Sequence, residues 1–186
     1  MSSPTGKVVI NRSMSLDGFI AGPNHTMDWG GGRPLAGFVA PGDLAEIASE
    51  TGAMLIGRRT WEVGSEMEAN DAGSVDYPFH GPFFLLTHRP LEPPDPDVTI
   101  LSGDIGDAVA TALRAAGGRN LEILGADVAA QCLARGLVDE ILVYVLPVLL
   151  GDGIPFSAPG LARVDLEPIS STRSGEATIL RFRVRR

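Results

Sequence analysis

The chain has a single cysteine, Cys132, so it can form no internal disulfide and supply no thiolate cluster to a metal. Histidine is nearly as scarce. His25, His80 and His88 match no ligand spacing, and neither H-x-E nor H-E-x-x-H occurs. Lys7 is the only lysine, which excludes a P-loop, since that motif needs Gly-Lys-Ser/Thr. Positive charge is short overall: Lys+Arg 15 against Asp+Glu 23 leaves a net −8. A balance of that sign opposes general binding to nucleic acid or anionic membrane, and an anionic ligand must be met by locally placed arginines. The longest apolar run, 141–150, falls far short of the ~20 residues of a membrane helix. No long apolar stretch follows the first charges as a secretory leader requires, so the expected setting is the reducing cytoplasm.

What is present fits one globular domain over 1–186: the composition is 44% apolar and 20% charged, with Gly 23 and Pro 14 scattered without period. Strand signals at 7–13, 53–56, 82–87, 98–101, 121–124 and 138–146 alternate with helical signals at 43–51, 58–67, 104–116 and 127–135. Asp43 and Glu46 are spaced as a capping box, and 104–116 carries one apolar face closed by Gly117-Gly118. Two further alternating runs, 162–169 and 177–184, predict an antiparallel pair turning at Ser174-Gly175. The expectation is an α/β domain with a mostly parallel sheet and antiparallel edge strands. The Gly- and Pro-rich segment 17–42 reads either as a binding loop or as a plain surface excursion.

Three predicted strand ends combine small residues with hydroxyl or guanidinium groups. Gly57-Arg58-Arg59-Thr60 opens a helix, where free N–H groups and Arg favour a phosphate; the alternative is a tight turn with solvated arginines. Thr87-His88-Arg89 could grip a phosphomonoester or form a polar turn. Gly125-Ala126 precedes a helix whose donors are open to an anion unless Asp127 caps them. Ligands of open α/β sheets bind outside the carboxyl ends of strands, and an extended anion such as a dinucleotide would account for all three together. No Gly-x-Gly-x-x-Gly and no Gly-x-Ser-x-Gly is present, so neither an ordinary Rossmann domain nor a simple serine hydrolase is supported. Among candidate acids, Asp43 reads as a helix cap or a proton donor, Asp17 as a turn residue, and Asp28-Trp29 as a loop pair facing a ligand. Cys132 reads as core packing.

In order, the motifs SLDGFIAG (15–22), GRRTWE (57–62), LTHRP (86–90), LGAD (124–127), GLVDE (136–140) and PVLLGDG (147–153) resemble the dihydrofolate reductase-like superfamily. The likeness is greater to the reductase domain of bacterial riboflavin biosynthesis and its stand-alone relatives. That resemblance implies a mixed, mainly parallel sheet flanked by helices, NADPH as cofactor, and hydride transfer to a C=N or C=O bond. The substrate it implies is a small heterocycle of pyrimidine type, similar to 5-amino-6-(5-phosphoribosylamino)uracil. It further implies that Gly57, Arg58, Arg59 and Thr60 hold cofactor phosphates, with Thr87 and Arg89 near the 2′-phosphate and Gly125 and Ala126 near the pyrophosphate. Ile20 and Ala21 would border the nicotinamide, Asp43 would stand where the superfamily places a substrate carboxylate, and a homodimer would form through the C-terminal strands. No zinc deaminase signature accompanies the reductase motifs. Within the reductase reading dihydrofolate is the rival acceptor; Leu124, standing where relatives usually have a glycine, leaves open a non-catalytic dimeric binding protein that has lost its cofactor.

Overall fold

The computed structural model describes residues 6–27, 33, 35–69, 77–93 and 95–186. Along them run β1 (Val8–Ser15), β2 (Phe19–Ala21), α1 (Pro41–Glu50), β3 (Thr51–Gly57), α2 (Arg58–Ala69), β4 (Phe83–Leu86) and β5 (Val98–Leu101). There follow α3 (Ile105–Ala115), β6 (Asn120–Leu124), α4 (Ala126–Ala134), β7 (Glu140–Leu146), β8 (Ile154–Pro155), β9 (Leu166–Ser174) and β10 (Ala177–Val184). Eight strands form one sheet in the order β5-β4-β3-β6-β1-β7-β10-β9, and β2 pairs with β8 apart from it. From β5 to β7 every pairing is parallel, while β10 runs antiparallel to both β7 and β9.

Parallel strands covered on both faces read as continuous apolar runs, and β3 is buried at six successive positions for that reason. Alternate residues divide the core. Val8, Ile10, Leu55, Leu121 and Ile123 pack under α3 and α4, while Val9, Leu142 and Tyr144 pack with Leu44 of α1. Cys132 lies in the first of these layers, fully buried, and burial pushes its thiol up to about 12. The edge strand β9 is exposed along most of its length.

Two helix starts differ from the sequence expectation. Helix α1 begins at Pro41 behind Ala40 and has no side-chain cap, so Asp43 is not a cap but a member of the first turn. Proline loses nothing at a first helical position, because the N–H it lacks would be unpaired there. Likewise α4 starts at Ala126 behind Gly125, and Asp127 accepts from Gln131 Nε2 at 2.8 Å instead of capping. By contrast α3 has a side-chain cap: the Asp104 carboxylate accepts from the Gly106 N–H at 2.8 Å. Segment 17–42 contributes β2, whose Phe19 and Ala21 pair with Pro155 and Ile154. The hairpin turns at Gly175, where φ is +57°, and its first strand starts four residues later than its alternation suggests, because an exposed edge strand carries little apolar pattern.

Ionisable side chains are buried within the sheet, Glu122 among them. Glu122 interrupts the apolar run of β6, and its Oε1 accepts from Asn11 Nδ2 at 2.9 Å, Tyr77 Oη at 2.7 Å and Thr51 Oγ1. Burial holds the Glu122 carboxyl above the usual carboxylate range, although those three donors pull the other way.

Candidate functional site

Because β1, β3, β4, β5, β6 and β7 are parallel, their carboxyl ends share one edge of the sheet. Registers Ile56↔Leu124 and Gly57↔Leu86 place the ends of β6, β3 and β4 side by side. The three sequence-predicted turns, 125–126, 57–60 and 87–89, are therefore neighbours.

Gly125 has φ +93°, a conformation L side chains rarely adopt, and a β-carbon there would overlap Oγ1 of Thr60. The same imagined atom lies 3.9 Å from the Gly57 N, so the turns after β6 and β3 touch. Gly57 is itself confined, since a β-carbon on it would stand 3.0 Å from Val128 Cγ2 of α4. Backbone thus forms the floor between the starts of α2 and α4. No side chain caps α4, which leaves its first N–H groups for an anion. Leu124 packs against the cluster of Ile56, Leu85 and Leu91, and the turn takes its positive φ at Gly125.

The arginines divide by task. Arg58 donates from Nε to Glu62 Oε1 at 2.9 Å and from Nη1 to the carbonyls of Arg89 and Pro90, both at 3.0 Å. It ties the start of α2 to the turn after β4. Arg59 reaches Glu62 and Glu66 at 3.5 Å, and Arg89 lies 3.9 Å from Glu62 with its side chain 72% exposed. Glu62 is the shared counter-ion, and its carboxyl is held below the usual range first by the Arg58 hydrogen bond. Glu62 closes the GRRTWE motif, and its i,i+4 spacing from Arg58 is the sequence signal of this role. Thr87 shapes its own turn, its hydroxyl accepting from the Arg89 N–H at 3.2 Å.

On the other side of β1, Asp17 fastens two motifs. It accepts from Ser15 Oγ at 2.6 Å and from the N–H groups of Leu150 and Gly151 at 3.1 and 2.7 Å. The Ser15 hydroxyl, then the Gly151 N–H, draw its carboxyl down to about 2. SLDG and PVLLGDG are thereby one assembly, and the turn residue expected at Asp17 is also a long-range anchor. Ile20 and Ala21 lie in the β2–β8 ribbon beside it.

Asp43 occupies the amino end of α1. Since α1 runs directly into the start of β3, that end lies toward the carboxyl edge of the sheet. Its carboxylate has no hydrogen-bond partner among the described residues and is half-buried. Asp28-Trp29 lies outside the described residues. No group of three or more His, Cys, Asp or Glu could hold a metal ion among the described residues, and no helix there is long and apolar enough to cross a membrane.

The model of the RibD C-terminal domain family matches residues 6–180. The uncharacterized protein YwjB of Bacillus subtilis (strain 168) is 27% identical over 153 residues, 80% of this chain and 81% of that one. A solved protein of Shewanella sp. PV-4 assigned to riboflavin biosynthesis superposes with TM-score 0.75 at 26% identity, covering 97% of this chain and 99% of that one. The riboflavin biosynthesis reductase of Saccharomyces cerevisiae has the same fold, with TM-score 0.61 at 16% identity over 100% of this chain and 92% of that one.

Proposed function

The chain belongs to the RibD C-terminal domain family, and from that premise we propose that it is an NADPH-dependent reductase of a small heterocyclic substrate of pyrimidine type. The observation that carries the reading is the backbone cradle at the carboxyl edge. There Gly125, Gly57 and the uncapped start of α4 leave room and donors for a pyrophosphate. The donor set fits the group: backbone N–H at the helix start, the Thr60 hydroxyl beside it, and two exposed guanidiniums, Arg59 and Arg89, for a phosphate farther out.

When bound, the reduced nicotinamide supplies a hydride; the protein's part is orientation, exclusion of water and the proton. Gly125 and Ala126 hold the pyrophosphate, Arg59 and Arg89 meet the 2′-phosphate, and Arg58 with Glu62 keeps the α2 start and the 87–90 turn in mutual register. The β2–β8 ribbon bearing Ile20 and Ala21 borders the ring. Asp43 stands on the substrate side and is assigned the delivery of the proton.

Titration of the purified protein with NADPH tests this, with quenching and a thermal shift expected at micromolar concentrations. No response up to about 1 mM overturns it. Oxidation of NADPH with 5-amino-6-(5-phosphoribosylamino)uracil, but not with dihydrofolate, places the substrate in the pyrimidine class.

A further inference from the structure

Arg12 is the least explained charge in the fold. It lies on β1, on the same face as Val8 and Ile10, one step closer to the carboxyl edge and beneath the first turn of α4. It is 8% exposed, yet it forms no ion pair among the described residues. Burying a cation without a counter-ion is costly, so its remaining contacts must compensate. Nη2 donates to the Gly125 carbonyl at 3.1 Å and Nη1 to the Phe156 carbonyl at 3.2 Å. The Phe156 ring lies under the guanidinium, 5.1 Å from ring centroid to Cζ. Nε is buried without a partner. Burial lowers the guanidinium to about 10, which leaves it charged at neutral pH.

Both carbonyls belong to backbone that matters for the proposed site. In a trans peptide the C=O of one residue and the N–H of the next point in opposite directions. Fixing the Gly125 carbonyl inward therefore fixes the Ala126 N–H outward. That carbonyl also accepts from the Ala129 N–H at 3.2 Å, so both its lone pairs are used and the peptide plane cannot rotate freely. At the other end, Phe156 follows β8, and its own N–H donates to the Gly18 carbonyl at 2.9 Å, just before β2. A single planar guanidinium thus joins the start of α4 to the β2–β8 ribbon, segments 31 residues apart from carbonyl to carbonyl along the chain.

We propose that Arg12 is a positioning residue: it holds the Gly125–Ala126 peptide so that its N–H faces the cofactor pyrophosphate, and it couples that turn to the ribbon bordering the nicotinamide. The proposal rests on the NADPH reading above. Its consequence is that a ligand occupying only the pyrophosphate end is felt at Phe156.

The test uses 2′-phospho-ADP-ribose, which carries the pyrophosphate but no nicotinamide, together with NADPH. In the wild type, 2′-phospho-ADP-ribose slows amide hydrogen exchange at Ile154 and Phe156, the two amides of 154–156, as well as at 125–127. Arg12→Met weakens NADPH by tenfold or more and abolishes the protection at 154–156. Arg12→Lys keeps the charge but cannot span both carbonyls; it binds NADPH several-fold more weakly and also loses that protection. Two results overturn the proposal. One is wild-type protein that binds 2′-phospho-ADP-ribose without any change at 154–156, a result that needs no variant to fold. The other is a folded Arg12→Lys or Arg12→Met that loses thermal stability yet binds NADPH within twofold of wild type, which makes Arg12 a core residue only. Failure of the wild type to bind either ligand overturns the NADPH reading instead.

Discussion

A β-carbon on Gly125 would occupy the space held by Oγ1 of Thr60, so the turn after β6 and the first turn of α2 fit together only while residue 125 is glycine. Two separate constraints meet there: the steric one from Thr60 and the backbone one from φ +93°. Gly125→Ala should destabilise the fold by about 1–3 kcal/mol and weaken NADPH by at least tenfold. Adding Thr60→Ala relieves the overlap but not the backbone strain, so it should recover part of the stability loss. Full recovery in thermal melts would show that φ at 125 costs nothing.

The arginines of the site should separate under mutation. Arg58 bonds two carbonyls and Glu62, whereas Arg89 is exposed and only distantly paired. Arg58→Ala should lower stability by about 1–3 kcal/mol and loosen the 87–90 turn. Arg89→Ala should leave the melting temperature unchanged and weaken NADPH more than NADH, by about tenfold. Equal losses for both nucleotides would remove Arg89 from the 2′-phosphate site.

Asp43 has a partner-free carboxylate at the amino end of α1. As the proposed proton donor, Asp43→Asn should reduce kcat by about 10²-fold with the Kd of NADPH unchanged. Steady-state rates and a nucleotide titration on the same preparation decide it. An undiminished kcat would return Asp43 to its helical role, a negative charge favourable at a helix start.

Glu122 should make stability fall with rising pH. Its folded pKa is raised above the usual carboxylate value of 4.5 by burial, so the folded state holds the proton more tightly than the unfolded chain does. The favourable contribution is therefore complete below pH 4.5 and is lost as pH rises through the folded value. Glu122→Gln keeps an acceptor for Asn11, Thr51 and Tyr77 without the ionisation. The variant's melting temperature should exceed that of the wild type at pH 8, and the gap should close toward pH 4. A gap independent of pH would mean that Glu122 ionises alike in both states.

Much of the fold was legible before any coordinates. Helix α3 shows its apolar face and its glycine stop, and β5 has the bounds its apolar run predicts, because both signals are local. Helix α1 starts before the predicted Asp43 because Pro41-Gly42 reads as a loop, although proline suits a first helical position. The site was legible as three separate turns. Glu62 went unread because its partners gather from α2 and from the turn after β4, and Glu122 because its three donors come from β1, β3 and the segment before β4.

The sequence by itself determined the alternation of strands and helices, the glycines and arginines at strand ends, and the scarcity of positive charge that forces any anion site to be local. Hydrophobic period and turn chemistry act over a few residues, so they can be read in one dimension. Tertiary structure decided which carbonyls Arg12 holds, which loop Asp17 fastens and which of the arginines is left exposed. Those outcomes depend on strand order, since placing β1 between β6 and β7 brings residues more than a hundred positions apart within hydrogen-bonding reach.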